Sequence, residues 1–276
     1  MDETKDRISR AKPGRLDLWI IALASALFRG AHLYFWSKTP WFRLPSLDEI
    51  YHHIWAGQIA DGSLLFPAAF FRAPFYAYFL GAVYAVFGTN PWAIRLIQSG
   101  IGVGGCVLVA ILAGKIFDDR RIGFLAGLFM AFSPMPALFE SRLLLDWMLI
   151  PLSALSLIFL VDSAEKGKGR DFFLFGLSAG VFAITRPNIL AVFPFLLLWA
   201  ILRWKKRWIR AGILAVVGIA LPILPVFVHN IARGEPSLVA TQGGLNLYLG
   251  NNSETDGITP VLPGHGGTWT VREAWK

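Results

Sequence analysis

Apolar stretches long enough to cross a bilayer recur along this chain, and four short basic clusters beside them carry sixteen of its 26 Lys and Arg residues. A hydrocarbon core about 30 Å thick needs about 20 apolar residues in a helix, and lipid offers no partner to an unpaired backbone group. Leu16–Trp36 meets that length, and further runs follow at Trp92–Ile116, Ile122–Leu138, Leu143–Val161 and Ile209–Val228. Phe172–Thr185 and Ile189–Leu202 are shorter and flank Arg186-Pro187, so they read as a tilted hairpin. Mean hydropathy over the 276 residues is +0.54, and only 16% are charged, against about 25% in soluble domains. The expected class is an all-α polytopic membrane protein. A single cysteine, Cys106, excludes an internal disulfide and reads as a small buried hydrophobe. No small-residue cleavage site follows the first run, so no signal peptide is expected.

The net charge of +8 would suit nucleic acid or an anionic surface, but its placement speaks for topology. Sixteen Lys and Arg residues fall in four clusters: Lys5–Arg15, Lys115–Arg121, Lys166–Arg170 and Arg203–Arg210. Cytoplasmic loops are enriched in such residues. If Ala73–Gly88, marginal at 16 residues, does not cross, seven spans put all sixteen on the cytoplasmic side; if it crosses, they divide five against eleven. The expectation is therefore a cytoplasmic tail over 1–15, a seven-span domain over 16–232 and an external segment over 233–276. The first external loop, 37–91, then holds amphipathic helices lying along the membrane face.

That loop contains the most chemically loaded stretch, Pro45 to Pro74 (PSLDEIYHHIWAGQIADGSLLFPAAFFRAP). Ser46 and Glu49 have the spacing of a capping box at a helix start, and acids suit that end. Asp48 also qualifies as a carboxylate able to act as a base or hold a metal. Asp48/His52 and Glu49/His53 share helix faces at i,i+4, so imidazole and carboxylate could bind a divalent cation or simply pair. Arg72, at the entrance to the next helix, has the planar fork that matches a phosphate, or it snorkels to headgroups.

On the seven-span scheme three more external segments join this loop. Glu140 and Asp146 flank a membrane entry, and Asp146 is an acid inside an apolar run; Arg142, four residues before it, is the structural alternative partner. Thr185-Arg186-Pro187-Asn188 breaks the hairpin, Pro ending the helix before it, with Arg186 facing the same cavity; capping of the turn by Asn188 is the structural alternative. In Gln242–Gly257, Tyr248 could stack on a sugar or an interface. No GxxxxGK[ST], GxGxxG, CxxC or HExxH motif is present, so nucleotide-driven chemistry has no visible site.

Asp48-Glu49, Phe71-Arg72-Ala73-Pro74, Arg95–Gly102 (RLIQSGIG), Glu140 with Asp146, Thr185-Arg186-Pro187 and Asn246–Asn251 together resemble the GT-C glycosyltransferases. The resemblance is to the branch holding protein O-mannosyltransferases and the lipid A aminoarabinose transferase. It implies a GT-C-like bundle in a bacterial inner or plasma membrane. It also implies transfer of a sugar from a polyprenyl- or dolichyl-phosphate donor to a protein, lipid or glycan acceptor on the external side. Asp48 would be the acid/base, Asp146 and Glu140 further acids with Glu49 beside them, and Arg72 and Arg186 the phosphate holders. Asn188 and Tyr248 would contact substrate, and a divalent metal at Asp48 and His52 stays open, as relatives differ. Family members usually have more spans, so the chain resembles an N-terminal part. Two other classes remain: a flippase or transporter for a lipid-linked substrate, and a non-catalytic membrane subunit. No nucleic-acid partner is expected.

Overall fold

The computed structural model describes residues 13–204, 208–253 and 255. Every regular element among them is helical, with no strand. In chain order the α-helices are α1 (Arg15–Trp36), α2 (Asp48–Ala60), α3 (Phe75–Phe87), α4 (Pro91–Phe117) and α5 (Arg120–Ala131). They continue with α6 (Pro134–Glu140), α7 (Leu149–Lys166), α8 (Gly169–Ala183), α9 (Phe193–Trp204), α10 (Trp208–Ala232) and α11 (Gln242–Asn251). Short 3₁₀ turns at Leu145–Met148 and Pro187–Val192 lead into α7 and α9.

Among the described residues, four segments are long and apolar enough to cross a membrane: α1, α4, Leu145–Lys166 and Ile209–Ala232. A fifth is reached if α5 and α6 count as one span bent by 53°. The expected seven are not reached on these criteria. The run Ile122–Leu138 is interrupted because Pro134 begins a new helix at its first position. The hairpin helices α8 and α9 have 15 and 12 residues, too few for a full crossing on their own. The protein is an integral membrane protein on these apolar helices. The tail through Lys12, the cluster residues Lys205–Arg207 and the segment beyond 255 lie outside the described residues.

Helix ends sort into two groups. At one end Arg120 pairs with Asp17, and Lys115 and Lys166 both pair with Asp162. At the other end lie the α2–α3 layer, the α6–α7 turn and the end of α8. Glycine sets the closest approach between α8 and α10: a Cβ on Gly176 would stand 2.1 Å from the Ala215 carbonyl oxygen, and one on Gly218 2.4 Å from that of Phe173. Such backbone-to-backbone contact is how membrane helices gain packing without a hydrophobic drive between them.

α3 is 13 residues long, about 20 Å at helical rise and short of a hydrocarbon core. Tyr76, Ala77 and Leu80 are fully buried, and α3 packs against α2, giving a two-helix layer. Trp55 fills the centre of this layer, with Phe66 and Phe70 at ring-centroid distances of 5.1 and 5.6 Å.

Candidate active site

Ser46–Glu49 starts α2 with Glu49, not Ser46, as the organiser. Glu49 is fully buried and accepts from the Ser46 amide (2.9 Å) and the Ser46 hydroxyl (3.0 Å). Its other oxygen accepts from Arg142 Nε (2.8 Å) and the Leu143 amide (2.9 Å). Burial alone would raise this carboxyl, but the Arg142 hydrogen bond, the two amides and the Arg142 charge outweigh it and hold it low. Only half of the expected capping box forms. The Ser46 hydroxyl is turned toward the carboxylate and accepts from Arg142 Nη2 at 2.9 Å, while Leu47 takes the cap position at φ 50°. Glu49 thereby ties the loop that opens α2 to the turn after α6.

Asp48, next in line, points out. Its side chain is 54% exposed and accepts from Arg72 Nη2 at 2.8 Å. Burial of its surroundings acts to raise the Asp48 carboxyl; the Arg72 bond and charge, with His52, bring it below its usual range. The Arg72 guanidinium also lies 5.1 Å from the Tyr51 ring centroid, and its Nε is buried without a partner.

The second acid–base pair is Asp146 with Arg186, at 3.3 Å. Asp146 sits in the 3₁₀ turn before α7, and Arg186 just past α8. The Phe75 amide donates to the Ile184 carbonyl (3.2 Å), joining the Arg72 segment to the Arg186 segment. With Glu49 bonded to Arg142 and Leu143, the two pairs are anchored at the same end of the bundle.

Glu140 is placed otherwise. It is buried and takes two hydrogen bonds from Arg29 of α1, at 2.7 and 2.9 Å, with Arg29 also bonded to Ser25 and the Ala131 carbonyl. Arg29 itself is buried inside the bundle. Asn188 and Tyr248 are exposed, and neither bonds to the two pairs. Arg142, the alternative partner for Asp146, is taken by Glu49.

His52 is 1% exposed, its ring edge-on to Tyr76 at 5.0 Å, and its Nδ1 has no partner. Burial, then the Arg72 charge, pull its pKa down to about 4 against a smaller upward pull from Asp48. His53 pairs with the Tyr84 hydroxyl at 2.8 Å, not with Glu49. No group of three His, Cys, Asp or Glu side chains converges among the described residues, and Arg72 bonds one of the two Asp48 carboxylate oxygens.

Residues not singled out from the sequence complete the corner. Asn230, fully buried near the end of α10, accepts from the Phe70 amide (2.8 Å) and donates to the carbonyls of Ser237 and Val239. The Thr241 and Gln242 amides donate to the carbonyls of Phe70 and Phe71 (3.0 and 3.1 Å). Beside this clasp opens an apolar recess of about 340 Å³, lined by Leu64, Leu65, Phe70, Tyr78, Pro222 and Val226 among others. The available signal was an amide side chain inside an otherwise apolar run, which demands buried partners.

A membrane-embedded helical bundle carrying two exposed carboxylate–guanidinium pairs at one end suits transferases that meet charged head groups at a bilayer surface. The family model described as dolichyl-phosphate-mannose-protein mannosyltransferase matches residues 71–231. That is more than half of the chain, which belongs to this family of membrane glycosyltransferases. The matched segment contains Arg72, Glu140, Asp146 and Arg186 but not Asp48 or Tyr248. No curated protein and no solved structure matches the chain.

Proposed function

We propose that the chain transfers a sugar from a polyprenyl- or dolichyl-phosphate donor to an acceptor hydroxyl on the non-cytoplasmic face of the membrane. The observation that carries this reading is the pair of exposed ion pairs, Asp48–Arg72 and Asp146–Arg186, held at one end of the bundle by Glu49 and the Phe75–Ile184 bond. A phosphate leaving group needs cationic stabilisation in the transition state, and a hydroxyl nucleophile needs a base. On this reading Arg72, with Arg186 beside Asp146, binds the lipid phosphate. Phosphate binding to Arg72 draws it from Asp48 and frees that carboxylate to take the acceptor proton. Asp146 orients Arg186. Glu49 and Glu140, buried and fully engaged, hold the loops in place, and the recess lined by Phe70 and Pro74, two positions to either side of Arg72, accepts the apolar start of the donor.

The sidedness rests on charge. Lys115, Arg120, Arg121, Lys166 and Arg170 border the end opposite the ion pairs, and the positive-inside bias supports an external position for the pairs. Seven crossings follow if α8 and Pro187–Trp204 also pass the bilayer, tilted or in locally thinned lipid. The family description supports mannose as the donor sugar and protein as the acceptor, and a bacterial inner membrane is the proposed home.

The test is release of free polyprenyl or dolichyl phosphate from a panel of lipid-phosphate sugars. Membranes carrying the chain are compared with those carrying Asp48→Asn at matched amounts. Release with the wild type, lost in the variant, is expected; equal release from both overturns the role of Asp48.

A further inference from the structure

Gln98 lies within the apolar helix α4, is fully buried and uses its entire amide. Its Oε1 accepts from the Tyr76 hydroxyl of α3 at 2.8 Å. Its Nε2 donates to the carbonyl of Glu140 and, at 3.0 Å, to that of Arg142. One turn earlier on the same face, Arg95 Nε donates to the Ser141 carbonyl at 2.8 Å. Three consecutive carbonyls, which no helix satisfies because α6 has ended, are thus met by two side chains of α4.

The position of this junction gives it its importance. The Glu140–Arg142 turn runs into Leu143, whose amide is held by Glu49, and then into Asp146. Tyr76 belongs to the layer that carries Asp48 and Arg72, and its ring faces His52. The Gln98 amide is therefore bonded at once to α3 and to the turn before Asp146. A planar amide with fixed donors and acceptor has no adaptable alternative in a dry site.

We propose that Gln98 is a positioning residue: its amide, oriented by the Tyr76 hydroxyl, fixes the Glu140–Arg142 turn and so sets Asp146 and Arg186 against Asp48 and Arg72. The inference rests on the function proposed above for those four residues. Gln98 touches no substrate. It acts through the backbone of the turn.

The experiment uses the full chain in detergent, as Tyr76→Phe, Gln98→Met and the double variant. Hydrogen exchange is followed by mass spectrometry over residues 141–148 and over α8 and α10, and transfer is measured as kcat and donor KM. Tyr76→Phe removes one hydroxyl from a packed ring and carries the test if Gln98→Met does not fold. Exchange over 141–148 should quicken in both single variants while α8 and α10 keep their protection. At unchanged donor KM, kcat should fall roughly tenfold to a hundredfold, the scale of a small misplacement of reacting groups. The double variant should be no worse than Gln98→Met, because Tyr76 acts through Gln98. Unchanged exchange over 141–148, loss of protection spread equally over all helices, unchanged kcat or additive effects would each overturn the proposal. If the wild type cleaves no donor, the transfer reading falls, and the exchange pattern still decides whether Gln98 sets the turn.

Discussion

Gly102 of α4 faces the Glu140 carboxylate so closely that a methyl group on the glycine would stand 2.1 Å from Oε1. The missing side chain is what lets the carboxylate reach Arg29. Gly102→Ala should push Glu140 off its partner and cost about 3–5 kcal/mol, the scale of a broken buried ion pair. Arg29→Met alone should cost a similar amount, and Arg29→Met with Glu140→Leu should recover most of it, since two apolar groups replace two charges. Denaturant unfolding in detergent reads all three.

Asp48 and Glu49 are neighbours with opposite expected phenotypes. The Asp48 pair is exposed and worth about 0–1 kcal/mol, so Asp48→Asn should leave the unfolding midpoint unchanged and abolish transfer. Glu49→Ala leaves Arg142 and the Leu143 amide without their buried acceptor and should cost about 3 kcal/mol. Activity and thermal unfolding measured on the same preparations separate the two roles.

His52 gives a pH dependence with a defined sign. Its folded pKa, about 4, lies below the ordinary 6.5, so between these values the unfolded chain binds the proton and the folded one does not. The stability this contributes is present above pH 6.5 and is lost as pH falls toward 4, with a slope of up to about 1.4 kcal/mol per pH unit. Asp48 and Glu49 are held low, and their contributions vanish only as pH falls through their depressed folded values. Chemical unfolding between pH 7 and 5 should show a steeper slope for the wild type than for His52→Phe.

The α8–α10 contact should reject even a methyl group. Gly176→Ala and Gly218→Ala meet backbone atoms that cannot swing aside, and overpacking of this kind costs about 1–3 kcal/mol. Gly212, on α10 with open space around its Cβ position, is the control. Gly212→Ala should be neutral or stabilise by up to about 1 kcal/mol through helix propensity. Thermal inactivation half-lives order the three variants.

The helical class and the glycosyltransferase family were legible from apolar runs and from the order of short motifs. Asp48 and Arg72 could be picked out because a charged residue at the mouth of an apolar segment is conspicuous. Their partners could not. Asp146 and Arg142 have helical spacing, yet Ser141–Leu144 is not helical, so the two do not share a face, and Glu49 claims the arginine instead. Hydropathy likewise runs through Ser133-Pro134 without sensing the 53° bend. The buried roles of Glu140, Gln98 and Asn230 depend on which helices become neighbours, which a local pattern does not encode.

The clasp at Phe70 has a consequence for biosynthesis. Its amide is capped by Asn230, 160 positions later, and its carbonyl by Thr241. While the chain is being made, the Arg72 corner stays unclosed until the last of these residues has emerged. The Arg72 corner is thus closed by contacts of high sequence separation, and their loop-closure entropy is charged to its assembly.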